Sequence, residues 1–455
     1  MTFTACSSSD DSPEVTNPTS PDPVVAQRVP VGFSAYADRG TTRSGVPGDL
    51  LLTQLQAAKG DVDTDGGGFG VFAYYTDLKK YDQTYVPNFM YNQGVFYDGA
   101  KWTYSPVMYW PNESGADAQS DDEDKVTFFA YAPYVFHTSA ASGSVKNANW
   151  GITGFSRNST VGDPIVKYIA SFKSAETVDL CWGVCNVATW DKFQGGGTQT
   201  MTTGLPWLDV EHPKVVNQPM TFTFKHALAQ LNVTIDADAD VATHDASGDA
   251  LDNKTKIWVR SISFTGIAMK GALNLNNPVA NTARWLDYSG TTDLPYGESV
   301  TVKDGRRDGR EGAAGAEAAN ELPQGLNAAI VQSDTGSPTG VTTTEVNLFE
   351  GTTGTVCVIP TGEKMTVTIV YDVETENEDL TTYLSDGTTK GSSIENKITK
   401  DITWSEAGGL KSGKKYNLQL HLGMNSVKFN ADVSGWDPTA ITGEEWLPEN
   451  EQTNP

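Results

Sequence analysis

Apolar and polar side chains alternate over many short stretches of this chain, with the period of two that a half-buried β-strand requires. The clearest stretch runs from Met365 to Val373, where every second residue is apolar. Glycine, proline, asparagine and aspartate separate these stretches, as they do at turns. We predict strands at residues 29–37, 69–75, 94–97, 101–104, 125–131, 178–182, 257–264, 272–275, 355–359, 365–373, 416–422 and 426–433.

Near the midpoint of the chain the phase of the alternation reverses. Phe222 and Phe224 lie on one face of the predicted strand, whereas Leu231, Val233 and Ile235 lie on the other. Because a slip of one residue exchanges the two faces of a strand, residues 226–230 must contain a bulge, a bend or a single helical turn. We predict that a second β domain begins here, with the two phenylalanines at the junction between domains.

The number of strands predicts a mostly β protein with two domains. Roughly six strands lie on each side of the midpoint, which fits two β-sandwiches in series. A chain of 455 residues is long enough for two such cores. Residues 49–58 have helical spacing, and the weak pattern between residues 135 and 174 predicts long surface loops.

The charge of the chain disfavours several partners. The formal net charge is -25, from 57 acidic and 32 basic side chains, so the average surface repels phosphate backbones and anionic membranes. The sequence contains no run of about 18 apolar residues, which excludes an ordinary transmembrane helix. We therefore expect no nucleic-acid partner, and a membrane attachment through a covalent group or another protein.

The amino-terminal residues resemble the lipobox of a bacterial lipoprotein. Small residues, Thr4 and Ala5, precede Cys6, and serines with paired aspartates follow it. Residues 1 and 2 supply neither the basic nor the apolar region of a signal peptide, so we expect the true start to lie upstream or the signal to have been removed. The alternative is a disordered tail with a chance cysteine. Residues 7–22 are polar and proline-rich, and predict a flexible tether.

The other cysteines do not predict a disulfide framework. If Cys6 is acylated, three cysteines remain, Cys181, Cys185 and Cys357, and an odd number cannot all pair within one chain. Cys181 and Cys185 could meet only if the chain turned at Gly183, because four extended residues separate them by roughly 13 Å. We expect all three to be buried as small apolar residues.

Two loops carry partial binding motifs. Residues 61–66 copy the first half of a calcium loop, but the twelfth position is Phe72 instead of a bidentate glutamate, so a solvated acidic turn is expected. Residues 408–415 nearly match a phosphate-binding loop. There Lys415 replaces the magnesium-binding Ser or Thr, and a strand follows where a helix is needed. A turn is the better interpretation.

No catalytic constellation can be selected from the sequence. The five histidines, His137, His212, His226, His244 and His421, lack metal-type spacing, and His226 is expected to be a hydrogen-bonded, half-buried residue. Pairs of carboxylates are inevitable among 57 acidic residues. Tyr104, Tyr109 and Trp110 could stack on sugar rings, but packing in the core or an interface is expected. We predict no enzyme activity, no metal and no cofactor.

The motifs, taken in order, give the chain a resemblance to the fimbrillin family of Bacteroidetes, the lipoprotein subunits of surface pili. The resemblance covers nearly the whole chain, and each motif alone is loose. It is carried by the Cys6 lipobox with Asp10-Asp11, Thr41-Thr42-Arg43, Phe69-Gly70-Val71-Phe72-Ala73-Tyr74, Tyr109-Trp110-Pro111-Asn112, Phe128-Phe129-Ala130-Tyr131-Ala132-Pro133, Phe224-Lys225-His226-Ala227-Leu228-Ala229, Gly413-Lys414-Lys415-Tyr416 and Val433-Ser434-Gly435-Trp436.

The resemblance implies two tandem transthyretin-like antiparallel β-sandwich domains, export as a lipoprotein acylated at Cys6, and assembly by donor-strand exchange. In some fimbrillins an arginine-specific protease removes the first strand and opens a groove for a strand of the neighbouring subunit. Arg39 and Arg43 follow the predicted first strand, residues 29–37, so a cut at either would release it. A cut at Arg28 would not. Residues 426–455 are the candidate donor.

We therefore expect a lipoprotein tether at residues 1–28, sandwiches at 29–218 and 219–445, and a tail at 446–455. The expected function is a fimbrial subunit or adhesin at the outer membrane and cell surface. Its expected partners are neighbouring pilin subunits, the membrane through the lipid anchor, and a host or bacterial surface ligand. The alternative is a non-polymerising surface lipoprotein that binds glycan or host protein. A glycoside hydrolase is the third interpretation.

Overall fold

The chain is mostly β. A computed structural model describes residues 29–37, 55–56, 67–111, 124–145, 151–171, 178–194, 199–213, 218–237, 255–292, 294, 300–304, 332–334, 341–343, 346–349, 355–384, 387–404, 409–423 and 427–435. Cys6, Arg39, Arg43 and the acidic loop 61–65 lie outside these ranges, as does most of the predicted helix 49–58.

Short strands follow one another along the chain, with one helix among the described elements. The first part contains β1 (Phe33–Ala37), β2 (Phe69–Asp77), β3 (Met90–Tyr97), β4 (Trp102–Thr103), β5 (Lys125–Ala132), β6 (His137–Ser139), β7 (Ser144–Val145), β8 (Ile152–Phe155), β9 (Ile165–Ile169), β10 (Cys181–Val184), α1 (Val187–Gln194), β11 (Trp207–Val210) and β12 (Met220–His226). The second part contains β13 (Ala229–Ala237), β14 (Thr255–Thr265), β15 (Ile267–Ala268), β16 (Lys270–Asn274), β17 (Arg284–Leu286), β18 (Val300–Asp304), β19 (Gln332–Asp334), β20 (Val341–Thr343), β21 (Val346–Asn347), β22 (Thr355–Pro360), β23 (Thr366–Glu376), β24 (Gly391–Asp401), β25 (Lys414–Leu422) and β26 (Val427–Gly435).

The first sheet is buried on both faces. Its order is β1-β12-β10-β5-β2-β3-β4, with β11 paired to β5. One face carries Phe69 and Phe128 into a cluster that we call the N-terminal core, which α1 also enters with Trp190 and Phe193. The alternate residues of β2 and β5 enter a second cluster, the middle core. This double burial explains why both strands are almost continuously apolar in sequence.

Two further sheets form a sandwich around the C-terminal core. The sheet β15-β22-β13-β25-β26, with β21 on β13, packs against the sheet β18-β14-β23-β24. Leu231, Val233 and Ile235 point into this core from β13, and Ile369 and Tyr371 meet them from β23. These three side chains therefore enter a different core from Phe222 and Phe224, as the change of phase predicts.

An antiparallel sheet, which we call the joining sheet, connects the two halves of the chain. Its order is β17-β16-β9-β8-β7-β6, so strands from residues 137–169 pair with strands from residues 270–286. The prediction of long surface loops at residues 135–174 is therefore wrong. This segment is buried in the middle core through Ile152, Phe155, Val166 and Tyr168. Its strands are short and are interrupted by glycine and proline, so the sequence shows no clear alternation of apolar and polar residues.

The predicted domain limit after residue 218 falls before the last strand of the first sheet. β12 pairs with β1 and β10, and its Phe222 and Phe224 lie in the N-terminal core instead of at a junction. The chain leaves this sheet after His226 and enters the C-terminal sheet at Ala229. The joining sheet also crosses the predicted limit, so the two halves share the middle core.

A bend at Ala227 and Leu228 produces the reversal of phase. The Ala227 amide donates to the Leu180 carbonyl at 2.8 Å, and the Ala227 carbonyl accepts from Trp285 Nε1 at 2.9 Å. The Leu228 carbonyl accepts from the Gly413 amide at 2.8 Å. Three segments distant in sequence therefore hold the two residues between the sheets.

The three described cysteines form no disulfide and are buried, as the sequence predicts. Gly183 lies inside β10, so the chain does not turn there, and Cys181 and Cys185 do not meet. An added Cβ at Gly183 would come within 2.9 Å of the Phe222 ring and 3.0 Å of Ala130 Cβ. Close packing between neighbouring strands therefore requires this glycine.

A buried ion pair joins the neighbouring strands β14 and β23 of the C-terminal sandwich. In β14 the register shifts between Val259 and Ser261, which makes Arg260 the extra residue of a β-bulge. Arg260 Nε and Nη2 each lie 2.5 Å from Asp372 Oδ2, and both side chains are buried. The bulge thus directs a cation toward a carboxylate in the interior.

We predict that Asp372→Ala lowers the free energy of unfolding by about 3–5 kcal/mol, because it removes the carboxylate that faces the buried Arg260 charge. The double variant Asp372→Ala with Arg260→Met removes both charges and is expected to be markedly more stable than the single variant. Urea unfolding of both proteins measures this. Asp401→Ala, which breaks the exposed pair with Lys364, serves as the control and should change little. Equal losses for Asp372→Ala and Asp401→Ala would contradict the prediction.

Candidate functional site

The first described strand is the candidate assembly site, because it lies at the edge of its sheet. β1 pairs with β12 alone within that sheet, in parallel register from Phe33 opposite Met220 to Ala37 opposite Phe224. Pro30 precedes the strand, where its missing N–H does not interrupt the pairing. The strand can therefore leave without breaking a central ladder.

The inner face of this segment is apolar at every second residue. Val31, Phe33 and Ala35 are 1%, 4% and 4% exposed, whereas the intervening Gly32 and Ser34 are only half-buried. These three side chains cover one edge of the N-terminal core. A strand that replaced β1 would need apolar residues at the same spacing, roughly 6.6–6.8 Å apart along the strand.

Phe33 is the anchor of the segment. Its ring centroid lies 5.3 Å from Tyr104, 5.9 Å from Phe128, 6.0 Å from Phe222 and 6.4 Å from Phe69. Such aromatic contacts add to the burial of apolar area. Phe33 therefore fills a pocket whose walls come from four segments of the chain.

Backbone hydrogen bonds hold the segment before β1 on its other side. The Val31 amide donates to the Met108 carbonyl at 2.9 Å, and the Trp110 amide donates to the Val29 carbonyl at 2.9 Å. The Tyr104 hydroxyl donates to the Val31 carbonyl at 2.7 Å. Burial raises the pKa of Tyr104 to about 12, so this hydroxyl stays protonated at neutral pH. Removal of residues 29–37 would uncover backbone groups on both sides together with an apolar pocket.

The candidate donor segment is already paired in part. β26 forms an antiparallel ladder with β25, from Lys414 opposite Gly435 to Leu422 opposite Val427. It lies at the edge of its sheet. Residues 436–455, which follow β26, lie outside the described residues. Donation by residues 427–435 would require this ladder to open.

The aromatic residues considered for sugar stacking pack mainly in the core. Trp110 is 3% exposed and contacts Phe128 and Phe193, and Tyr104 contacts Phe33. Tyr109 is 43% exposed. The expectation of packing is thus confirmed for Tyr104 and Trp110.

A polar cleft of about 540 Å³ lies where β9 of the joining sheet begins and β16 ends. The Asp163 carboxylate at its base accepts hydrogen bonds from Tyr81, Gln83, Asn274 and Asn276, at 2.9–3.1 Å. These donors come from both halves of the chain. Asp163 therefore links the halves.

Asp179, Cys181 and His226 form a cluster that the sequence does not predict. His226 Nδ1 lies 2.7 Å from Asp179 Oδ2 and 3.7 Å from Cys181 Sγ, and Sγ lies 3.5 Å from the same carboxylate oxygen. In a catalytic triad the nucleophile and the acid contact different ring nitrogens, whereas here both contact Nδ1. The cluster therefore does not have triad geometry.

The sequence predicts the burial of Cys181 and of His226, but it does not predict that the two residues lie close together. His226 is half-buried and paired, and Cys181 is buried, as expected. Their proximity depends on the register of β10 and β12, which places Cys181 opposite His226. The spacing along the chain gives no sign of it.

The geometry defines a mostly β protein whose N-terminal core is closed along one edge by a short strand and whose halves share a core. Among the residues that the structure describes, no helix is long and apolar enough to cross a membrane. No known family model matches the sequence.

Part of the chain is similar to the fimbrium subunit Fim1C of Phocaeicola vulgatus, with 33% identity over 91 residues. This match covers 18% of the chain and 22% of that subunit, so it spans well under two thirds of the relative. The resemblance to Bacteroidetes fimbrial subunits that the motifs indicate is confirmed by this match.

Two solved structures can be compared over most of the chain. A fimbrial protein from Bacteroides vulgatus is 20% identical, with a TM-score of 0.44 and coverage of 90% of this chain and 99% of that one. The fimbrial anchor protein Mfa2 from Porphyromonas gingivalis is 9% identical, with a TM-score of 0.31 and coverage of 90% and 98%. Scores of this size describe a partial likeness of shape, and no functional conclusion follows from them.

We predict that Phe33→Ala lowers the free energy of unfolding by about 3–5 kcal/mol, because it empties a pocket lined by four aromatic rings. Ser34→Ala, on the opposite face of the same strand, should change stability by less than about 0.5 kcal/mol. Denaturant unfolding, followed by tryptophan fluorescence, compares the two variants. If Phe33→Ala were no more destabilising than Ser34→Ala, β1 would not be an anchored part of the core.

Proposed function

We propose that this chain is a structural subunit of a bacterial surface fimbrium and assembles by donor-strand exchange. The observation that carries the proposal is β1, a five-residue edge strand. Its Phe33 and Ala35 side chains, together with Val31 just before it, fill one side of a core. The similarity to a fimbrium subunit supports the same role. The role is structural and requires no catalytic residue.

The physical basis of exchange is the groove that β1 would leave. A vacated groove presents unpaired backbone groups of β12 and an apolar pocket, and both favour the binding of another extended segment. A donor with alternating apolar residues restores both kinds of contact. The donor restores contacts similar to those that are lost with β1. The free energies of releasing β1 and of binding the donor therefore nearly cancel, unless the donor makes additional contacts of its own.

Proteolysis at Arg39 or Arg43 is the proposed trigger. Both arginines follow β1 in sequence, so either cut separates residues 29–37 from the folded body. The same cut also separates the body from Cys6, whose acylation would hold the untrimmed chain at the outer membrane. Two acyl chains anchor stably, whereas one binds reversibly. Trimming would thus couple release from the membrane to opening of the groove.

We propose that the two halves correspond to the two transthyretin-like sandwiches of fimbrillins, joined here through the middle core. The proposed partners are neighbouring subunits, with residues 426–455 as donor. Because β26 is paired with β25 over its whole length, the proposal requires either that this ladder opens or that the donated strand comes from residues 436–455.

We predict that treatment with an arginine-specific protease converts the full chain from monomers to oligomers. The wild-type protein should show a cut at Arg39 or Arg43 by mass spectrometry and a higher mass by light scattering. The Arg39→Ala, Arg43→Ala double variant retains Arg28 as a cleavage site and should stay monomeric. If the wild-type protein is cut after β1 and remains monomeric, the proposal is wrong.

A competing peptide tests whether the groove is responsible. Excess peptide of residues 29–37 should block oligomerisation of the cut protein, because it refills the vacated groove. The same peptide with Phe33→Asp should not block it, since a carboxylate in the aromatic pocket would be desolvated without a partner. Equal effects of the two peptides would place the assembly contact elsewhere.

The alternative function is a non-polymerising surface lipoprotein that binds glycan or host protein. The cleft beside Asp163 is the candidate glycan site, because Gln83, Asn274 and Arg284 line it with groups that hydrogen-bond to sugar hydroxyls. A glycan array with the untrimmed protein would detect this activity. Glycan binding together with a monomeric state after trimming would favour the alternative.

A further inference from the structure

The described residues include a group of three side chains with the donor atoms of a transition-metal site. The ligating atoms of Asp179, Cys181 and His226 all lie within 4.8 Å of one another. Asp179 and Cys181 are buried, and the His226 side chain is 12% exposed. The proposed assembly mechanism does not use them.

The register of two strands brings these residues together. Cys181 begins β10 and lies opposite His226, the last residue of β12. The bond from the Ala227 amide to the Leu180 carbonyl continues this pairing one residue further. Asp179 lies two residues before Cys181, just outside β10, and its Oδ2 atom is 3.5 Å from Cys181 Sγ. Two ligands that are two residues apart in the chain thus face a third on the neighbouring strand β12.

We propose that Asp179, Cys181 and His226 bind a zinc ion through a carboxylate oxygen, a thiolate sulfur and an imidazole nitrogen. Zinc accepts these three donor types, and three protein ligands leave a fourth tetrahedral position for water. One thiolate and one carboxylate balance the charge of Zn²⁺. Charge balance matters here because a net charge in a buried site is costly.

The distances between the donor atoms fit this geometry with one small change. Tetrahedral zinc, with bonds of about 2.3 Å to sulfur and 2.0–2.1 Å to nitrogen or oxygen, places sulfur about 3.5 Å from the other donors. Cys181 Sγ lies 3.5 Å from Asp179 Oδ2 and 3.7 Å from His226 Nδ1. The nitrogen and oxygen donors should be about 3.3 Å apart, and they are 2.7 Å apart in a direct contact. Binding would widen this contact slightly.

Zinc binding displaces protons from the ligands. The Cys181 thiol loses its proton, and the proton between His226 Nδ1 and Asp179 Oδ2 leaves that position, so that a neutral imidazole protonated at Nε2 offers its Nδ1 lone pair. Without metal, the same two groups form a proton-bridged pair. The metal-bound and metal-free states therefore use one arrangement of side chains.

Cys185 provides a contrast within the same segment. It is buried, and burial raises its pKa to about 12, so it remains a thiol at neutral pH. It belongs to no group of potential metal ligands among the described residues. Cys185 is therefore a matched control for Cys181.

The test is cobalt and zinc binding to the chelator-treated full chain. We expect one zinc ion per chain by calorimetry. Cobalt, which replaces zinc and reports on its ligands, should give a thiolate-to-metal charge-transfer band in the near ultraviolet. Zinc at about a hundredfold above its Kd should raise the Tm of a chain of this length by about 3 °C, because it binds the folded state.

The variants decide which residues hold the metal. Cys181→Ala should abolish the charge-transfer band and weaken zinc binding by at least about tenfold, whereas Cys185→Ala should retain both. His226→Gln keeps a polar group beside Asp179 and should also lose zinc, with circular dichroism to verify folding. Absence of stoichiometric zinc binding, cobalt binding without the band, or a band that survives Cys181→Ala would each overturn the proposal.

Discussion

Burial of the first sheet on both faces is the constraint on which the rest of the structure depends. β2 and β5 send alternate side chains into the N-terminal and middle cores, so the centre of the sheet has no solvent-facing side. β1 contributes to the N-terminal core alone. A loss of β1 would consequently open one face of the sheet, while the other face stays packed in the middle core.

The bend at Ala227 and Leu228 is what allows two cores to be built from one continuous stretch. Residues before it face the N-terminal core, and residues after it face the C-terminal core. Because hydrogen bonds to three other segments hold these two residues, the bend depends on tertiary contacts. Local sequence therefore reveals the reversal of phase, but it does not reveal the sheets on either side.

Burial decides which strands can be predicted from the sequence. β5 and β23 have continuous or alternating apolar residues and are predicted to within a few residues, because burial imposes the pattern. β24 escapes prediction, since both faces of this edge strand are largely exposed and carry polar side chains. The short strands β8 and β9 escape it because each spans only a few residues. The cluster at His226 gives no signal because its members are up to 47 residues apart in sequence and meet only through strand register.

The two proposed sites meet on one strand. β12 carries the groove that β1 fills, and its last residue, His226, belongs to the Asp179 cluster. Once β1 has left, the remaining sheet partner of β12 is β10, through the short ladder from Cys181 opposite His226 to Val184 opposite Thr223. A metal bound at the end of that ladder would link the two strands where the chain turns toward the second core. It would thereby hold in place the template on which an incoming strand must pair, and it would reduce the conformational entropy lost on capture.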